Sequence, residues 1–112
     1  MTNASGATTN QQAPVSEALQ TLAEYLELSL DAGSSLAVMR HAPDTATLYV
    51  GDPAGAREDL KRRGTIAATL ANEILDVTQA GANLIEIDGK TYRFFRSFTH
   101  IDGIPTVVFS SI

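Results

Sequence analysis

Apolar residues recur at helical spacing in two stretches of this chain and alternate with polar ones elsewhere. Ala18, Leu19, Leu22, Ala23, Leu26 and Leu30 share one helical stripe, widened by Tyr25 and Leu28, with Glu24, Glu27 and Asp31 on the other side. Ser16 after Pro14 is a good N-cap, Glu17 suits the positive helix start, and Gly33 supplies the C-terminal cap. Alternation then predicts two short strands, Leu36 to Arg40 and Thr45 to Val50, joined by the turn-rich His41-Ala42-Pro43-Asp44.

Asp52 followed by Pro53 reads as the start of a second, central helix. Gly55 and Gly64 weaken its opening, so the pattern predicts a kink at Gly64 or a short helical turn, then a firm helix from about Thr65 to Gln79, ended by Gly81. Ile66, Leu70, Ile74 and Val77 form one apolar face, with Ala68, Ala71 and Leu75 in a strip beside it. The remainder reads as strand. Leu84 to Ile87 leads into Asp88-Gly89, the strongest short hairpin signal here, because both central positions of a type I′ turn need positive φ. Lys90 to Thr99 returns, His100-Ile101-Asp102-Gly103 turns again, and Ile104 to Ser110 closes a three-stranded antiparallel meander over Asn83 to Ser110. Pro105 belongs at a strand start or on an edge, since it has no N–H for a ladder.

The predicted architecture is α+β: one five-stranded antiparallel sheet with helices packed on it, in the order α-β-β-α-β-β-β. It occupies residues 15–112. Residues 1–14 are rich in Thr, Asn, Gln, Ala and Gly, and lack the apolar area to offset the entropy of ordering, which predicts a disordered tail. With 112 residues, 44% of them hydrophobic and 19% charged, the chain suits a single globular domain.

Charge and composition then narrow the function. There are no cysteines, which removes disulfides, thiolate metal sites and a cysteine nucleophile, and fits a reducing cytoplasm. A net charge of −5 disfavours nucleic acid and anionic membranes as partners. No apolar run approaches the roughly 20 residues of a membrane span, and the N-terminus does not read as a secretory signal.

Candidate chemistry is sparse. His41 and His100 are the only histidines; His100-Ile101-Asp102 sits in a turn, and a metal site would need three or four convergent ligands. No Gly-x-Ser-x-Gly elbow is present. Gly51-Asp52-Pro53-Ala54-Gly55-Ala56 shares the outline of a phosphate loop but lacks the Gly-Lys-Ser/Thr ending, and Asp52 would repel a phosphate, so it reads as a strand-to-helix turn. Arg57, Lys61, Arg62 and Arg63 hold half of the eight basic residues; they read as a solvated helix face, or alternatively as a contact for an acidic protein surface. Tyr92, Phe94 and Phe98 share one face of their strand with Arg96 and read as core. With Phe95 on the other face, that strand is apolar on both sides, so the sheet needs cover twice.

The helix–strand–strand–helix–three-strand order, with Leu36-Ala37-Val38-Met39, the Ala-rich Thr65 to Gln79 segment, and Leu84-Ile85-Glu86-Ile87-Asp88-Gly89-Lys90-Thr91-Tyr92 leading into Val107-Val108-Phe109, resembles the roadblock (dynein light-chain-like) family of the profilin- and longin-like group. The resemblance covers most of Ser16 to Ser110. It lacks that family's frequent final helix and the Asp-Gly in the first hairpin. The resemblance implies a non-catalytic homodimer, paired through the central helix and the strand after it. Those elements correspond to Leu70, Ala71 and Ile74 and to Leu84, Ile85 and Ile87. Bacterial members often act beside small Ras-like GTPases.

The function expected from all this is a small cytoplasmic regulatory or scaffold protein, dimeric, using protein contacts, with no cofactor and no catalytic site of its own. Two alternatives stand beside it: an acidic, dimeric, secretion-chaperone-like protein, and a small enzyme or ligand sensor using His41, His100 and Asp102.

Overall fold

The computed structural model describes residues 16–112, so the expected tail at 1–14 lies outside the described residues. Helix α1 spans Glu17–Asp31. The Ser16 hydroxyl accepts from the Leu19 N–H at 3.2 Å, as its N-cap position requires. At the other end Gly33 adopts φ 63°, Ser34 N–H donates to Ser29 C=O at 2.9 Å and Gly33 N–H to Leu30 C=O at 3.0 Å. These two bonds are the Schellman pattern, with glycine in the left-handed position beyond the last helical turn.

Strands β1 (Ser35–Ala42) and β2 (Thr45–Gly51) form the first hairpin. The central helix departs from expectation. Asp52 caps only a local turn, accepting from the Ala54 N–H at 2.9 Å, and a single 3-10 turn follows at Arg57–Asp59. Residues expected at the start of the firm helix instead belong to strand β3 (Lys61–Ala67), antiparallel to β2. Helix α2 is confined to Ala68–Asp76, ending before Gly81. The order is therefore α-β-β-β-α-β-β-β, and the sheet has six strands rather than five.

Two tertiary contacts account for the difference. Gly64 sits where a Cβ would lie 2.0 Å from the Tyr25 hydroxyl, so α1 approaches this strand more closely than any larger residue allows. The first N–H of α2, on Ala68, donates to the Asp44 carbonyl in the β1–β2 turn at 2.9 Å. The helix start is thus fixed by a neighbour from the first hairpin, and Ala67, its N-cap residue, makes no side-chain cap bond.

Strands β4 (Gly81–Ile87), β5 (Lys90–Ile101) and β6 (Ile104–Ser111) form the expected meander. Asp88 and Gly89 both have positive φ, as the hairpin reading required, and so do Asp102 and Gly103 at the second turn. Strand order is β3-β2-β1-β6-β5-β4, with every neighbouring pair antiparallel. Strand β6 is central, so Pro105 marks no edge. It lies at the strand start, before the β1 ladder begins at Thr106, where no N–H is needed on that side. Helix α2 connects β3 to β4, the two edge strands.

Both helices pack on one sheet face. Leu22 and Leu26 of α1 and Ala71 and Ile74 of α2 meet Leu36, Leu48, Phe94 and Phe109 there. Each large side chain so buried contributes about 1.5–3 kcal/mol relative to exposure. The Phe94 and Phe109 rings pack edge to face at 5.5 Å.

Candidate functional site

Neither described helix covers the second sheet face, and the described residues close only part of it. The β2–β3 loop folds back over β1 and β2, burying Leu60 with Ala37, Met39 and Tyr49. Arg57 fastens that loop. Its guanidinium lies 4.8 Å from the Tyr49 ring centroid, Nη2 donates to the Tyr49 hydroxyl at 3.4 Å, and Nε pairs with Asp102 Oδ2 at 3.2 Å in the β5–β6 turn. Tyr49 also bonds His41 Nε2 at 3.1 Å.

Beyond this strap, at the β4–β5 end, the face is open. Phe95 is 46% exposed and Leu84 66%. Ladder register places Leu84 opposite Arg93 and Ala82 opposite Phe95, so Leu84 and Phe95 are diagonal neighbours on adjacent strands. Strand β4 is also a sheet edge, with one row of backbone groups unpaired by any described strand. An apolar face continuous with a free edge can pack against a flat surface and can accept another strand.

The interface residues drawn from the family resemblance separate here. Ala71, Ile74 and Ile87 are buried in the chain's own core, and Leu70 and Ile85 pack against it half-buried. Leu84 alone of the six is well exposed. The reason is that α2 rests on its own sheet, so its apolar side is already occupied. Phe98, expected in the core with Tyr92 and Phe94, is 63% exposed, because α2 is too short to reach over it. Phe98 and Phe95 were both visible in the sequence as aromatics on opposite faces; the length of α2 was not.

The basic cluster does not form a helix face. Arg57 lies in the strap, while Lys61, Arg62 and Arg63 stand exposed on β3, the other sheet edge. Charged side chains on an edge strand discourage pairing with a further strand, so β3 is a guarded edge and β4 an open one.

The histidine set is not assembled. His41 sits beside Tyr49 on the strapped face, whereas His100 meets Phe98 edge to face at 5.2 Å on the helix side. Asp102 is engaged by Arg57. Among the described residues no group of three or more His, Asp or Glu could hold a metal ion. The strongest electrostatic perturbation lies elsewhere. Lys90 and Tyr92 both donate to Glu27, Tyr92 at 2.6 Å. Hydrogen bonding from Lys90, then from Tyr92, lowers the Glu27 pKa, and burial with the Glu27 bond pushes Tyr92 up to about 12. This triad ties α1 to the β4–β5 hairpin.

No described helix is long and apolar enough to cross a membrane. Neither a family model, nor a curated protein, nor a solved structure matches the chain.

Proposed function

We propose that this chain is a small cytoplasmic regulatory or scaffold protein that works as a homodimer, the contact lying on the open face at β4 and β5. The observation that carries this is the pair Leu84 and Phe95, large apolar side chains exposed together beside an unguarded edge strand. Self-association suits an edge, because a two-fold axis lets the same strand serve both partners. The roadblock-like reading remains part of the proposal. Its support is the agreement in order outside the inserted β3; its expected α2 contact is replaced by Leu84 and the sheet face. A protein partner, with a small GTPase as the candidate from that resemblance, would then meet the dimer.

Light scattering at micromolar concentration tests the dimer. The expected mass is twice the 11.9 kDa of the chain. Leu84→Asp and Phe95→Glu should each restore the monomer with an unchanged circular dichroism spectrum, since both positions are solvent-exposed before association. A monomeric parent protein would end this reading.

The exposure of Phe98 on the helix side favours a second reading, the secretion-chaperone-like protein that holds a segment of a partner. Its mark would be a co-purifying effector polypeptide in place of a GTPase.

A further inference from the structure

An apolar groove runs beside α2 on the helix side, away from Leu84 and Phe95. Its floor is Val38 and Val107, its wall Ile74 and Leu75, and it continues past Pro105 to the exposed ring of Phe98. Two guanidinium groups reach into this apolar setting. Arg96 is anchored through Nη1, whose N–H groups are shared among the Leu75 carbonyl at 2.9 Å, the Thr78 carbonyl at 3.1 Å and the Thr78 hydroxyl at 2.8 Å, closing the negative end of α2. Arg40 is held less firmly. Its Nη1 reaches Asn72 Oδ1 at a long 3.3 Å, and its buried Nε–H has no partner among the described residues. Neither arginine forms an ion pair with a described carboxylate, although the chain as a whole carries a net charge of −5.

A buried donor without an acceptor is rare and costly, and a carboxylate is the acceptor that suits the part of the Arg40 guanidinium lining the groove. We propose that the groove binds a partner peptide segment carrying one Asp or Glu between bulky apolar residues. The carboxylate accepts from Arg40, and the flanking side chains lie on Leu75, Val107 and Phe98. Charge complementarity selects this occupant: the groove combines apolar walls with positive charge that no described carboxylate neutralises. Its open side, marked by Phe98, suits an extended segment better than an enclosed small molecule. The inference shares only the protein-binding premise with the proposed dimer, and the two sites lie on opposite sheet faces.

Fluorescence anisotropy with a labelled decapeptide tests it, the peptide holding one glutamate between leucine and phenylalanine. Matched peptides carry glutamine or lysine at that place. The glutamate peptide should bind about tenfold more tightly than the glutamine one, and the lysine peptide should be the weakest. Arg40→Gln should abolish the glutamate preference, Arg40→Lys should keep part of it, and Phe98→Ala should weaken all three peptides. Leu84→Asp should leave peptide binding intact while it removes the dimer, which separates the two readings. Equal binding of all three peptides, or a glutamate preference that survives Arg40→Gln, would overturn the proposal. So would saturable binding of dodecanoate with the peptides inert, which would make the groove a lipid site.

Discussion

Arg57 Nε lies 3.2 Å from Asp102 Oδ2, and this ion pair joins the β2–β3 loop to the β5–β6 turn across a face that neither described helix covers. Half-exposed pairs contribute little by themselves. Here the same guanidinium also lies over the Tyr49 ring and holds the loop that buries Leu60. Arg57→Ala should therefore cost about 1–2 kcal/mol in urea denaturation. Asp102→Asn should cost less than 1 kcal/mol, because asparagine accepts the positive φ of 54° at that turn and only the charge is lost. Equal losses in the two variants would show that the pair, and not the stacking on Tyr49, holds the strap.

Gly64 and Tyr25 predict a coupling that contacts alone would not suggest. Alanine at Gly64 places its Cβ against the Tyr25 hydroxyl, which must swing aside. Gly64→Ala should cost about 1 kcal/mol. In a Tyr25→Phe background the same change should cost less, because only the ring carbon at 3.0 Å then has to give way, while replacing glycine restricts the unfolded chain. A double-mutant cycle by denaturation reads the coupling directly. Additive effects would mean that the close approach of α1 to β3 does not constrain this strand.

These contacts also show where the sequence was legible. Turn chemistry was local and readable: Ser16, Gly33 and Asp88-Gly89 each act as their residue types require. The meander was readable for the same reason, since strict alternation and two Asp-Gly turns leave few alternatives. Strand β3 was not, because Ile66 with Leu70 and Ile74 completes a helical stripe while it also alternates with its own neighbours. The choice between the two periods was made by Tyr25 packing on Gly64 and by the Asp44 carbonyl at the start of α2, both distant in sequence. Once the helix lost its first turns, the basic residues moved to an edge strand and Phe98 lost its cover. The unsatisfied Arg40 had no sequence signal, because an arginine in alternation looks the same with or without a partner.

The Glu27–Lys90–Tyr92 triad predicts the shape of the stability profile. Glu27 is lowered in the folded state, so its contribution is present above its ordinary value of 4.5 and is lost as pH falls through the lower folded value. Tyr92 is raised from 10.0 to about 12, so its contribution is present below pH 10 and is lost as pH rises towards 12. Melting midpoints across pH should fall at both ends. Glu27→Gln should flatten the acid limb, and Tyr92→Phe should flatten the alkaline limb while costing about 1 kcal/mol at neutral pH for the lost hydrogen bond. An unaltered alkaline limb in Tyr92→Phe would place that titration on other groups.

Ile74 and Leu84 share one role in the family resemblance and opposite surroundings in the fold, which makes them the sharpest pair to compare. Ile74 is 3% exposed on the sheet-facing side of α2, and Leu84 is 66% exposed on the opposite sheet face. Ile74→Asp replaces a core side chain with a carboxylate that must be desolvated. It should abolish cooperative unfolding or cost upwards of about 3 kcal/mol. Leu84→Asp should change monomer stability by less than about 0.5 kcal/mol, yet shift the mass in light scattering from dimer to monomer. Thermal unfolding and light scattering on the same samples separate the two effects. If Leu84→Asp remains dimeric while folded, the shared surface lies elsewhere on the molecule, and the guarded β3 edge would be the next place to probe, with Arg62→Glu as the variant.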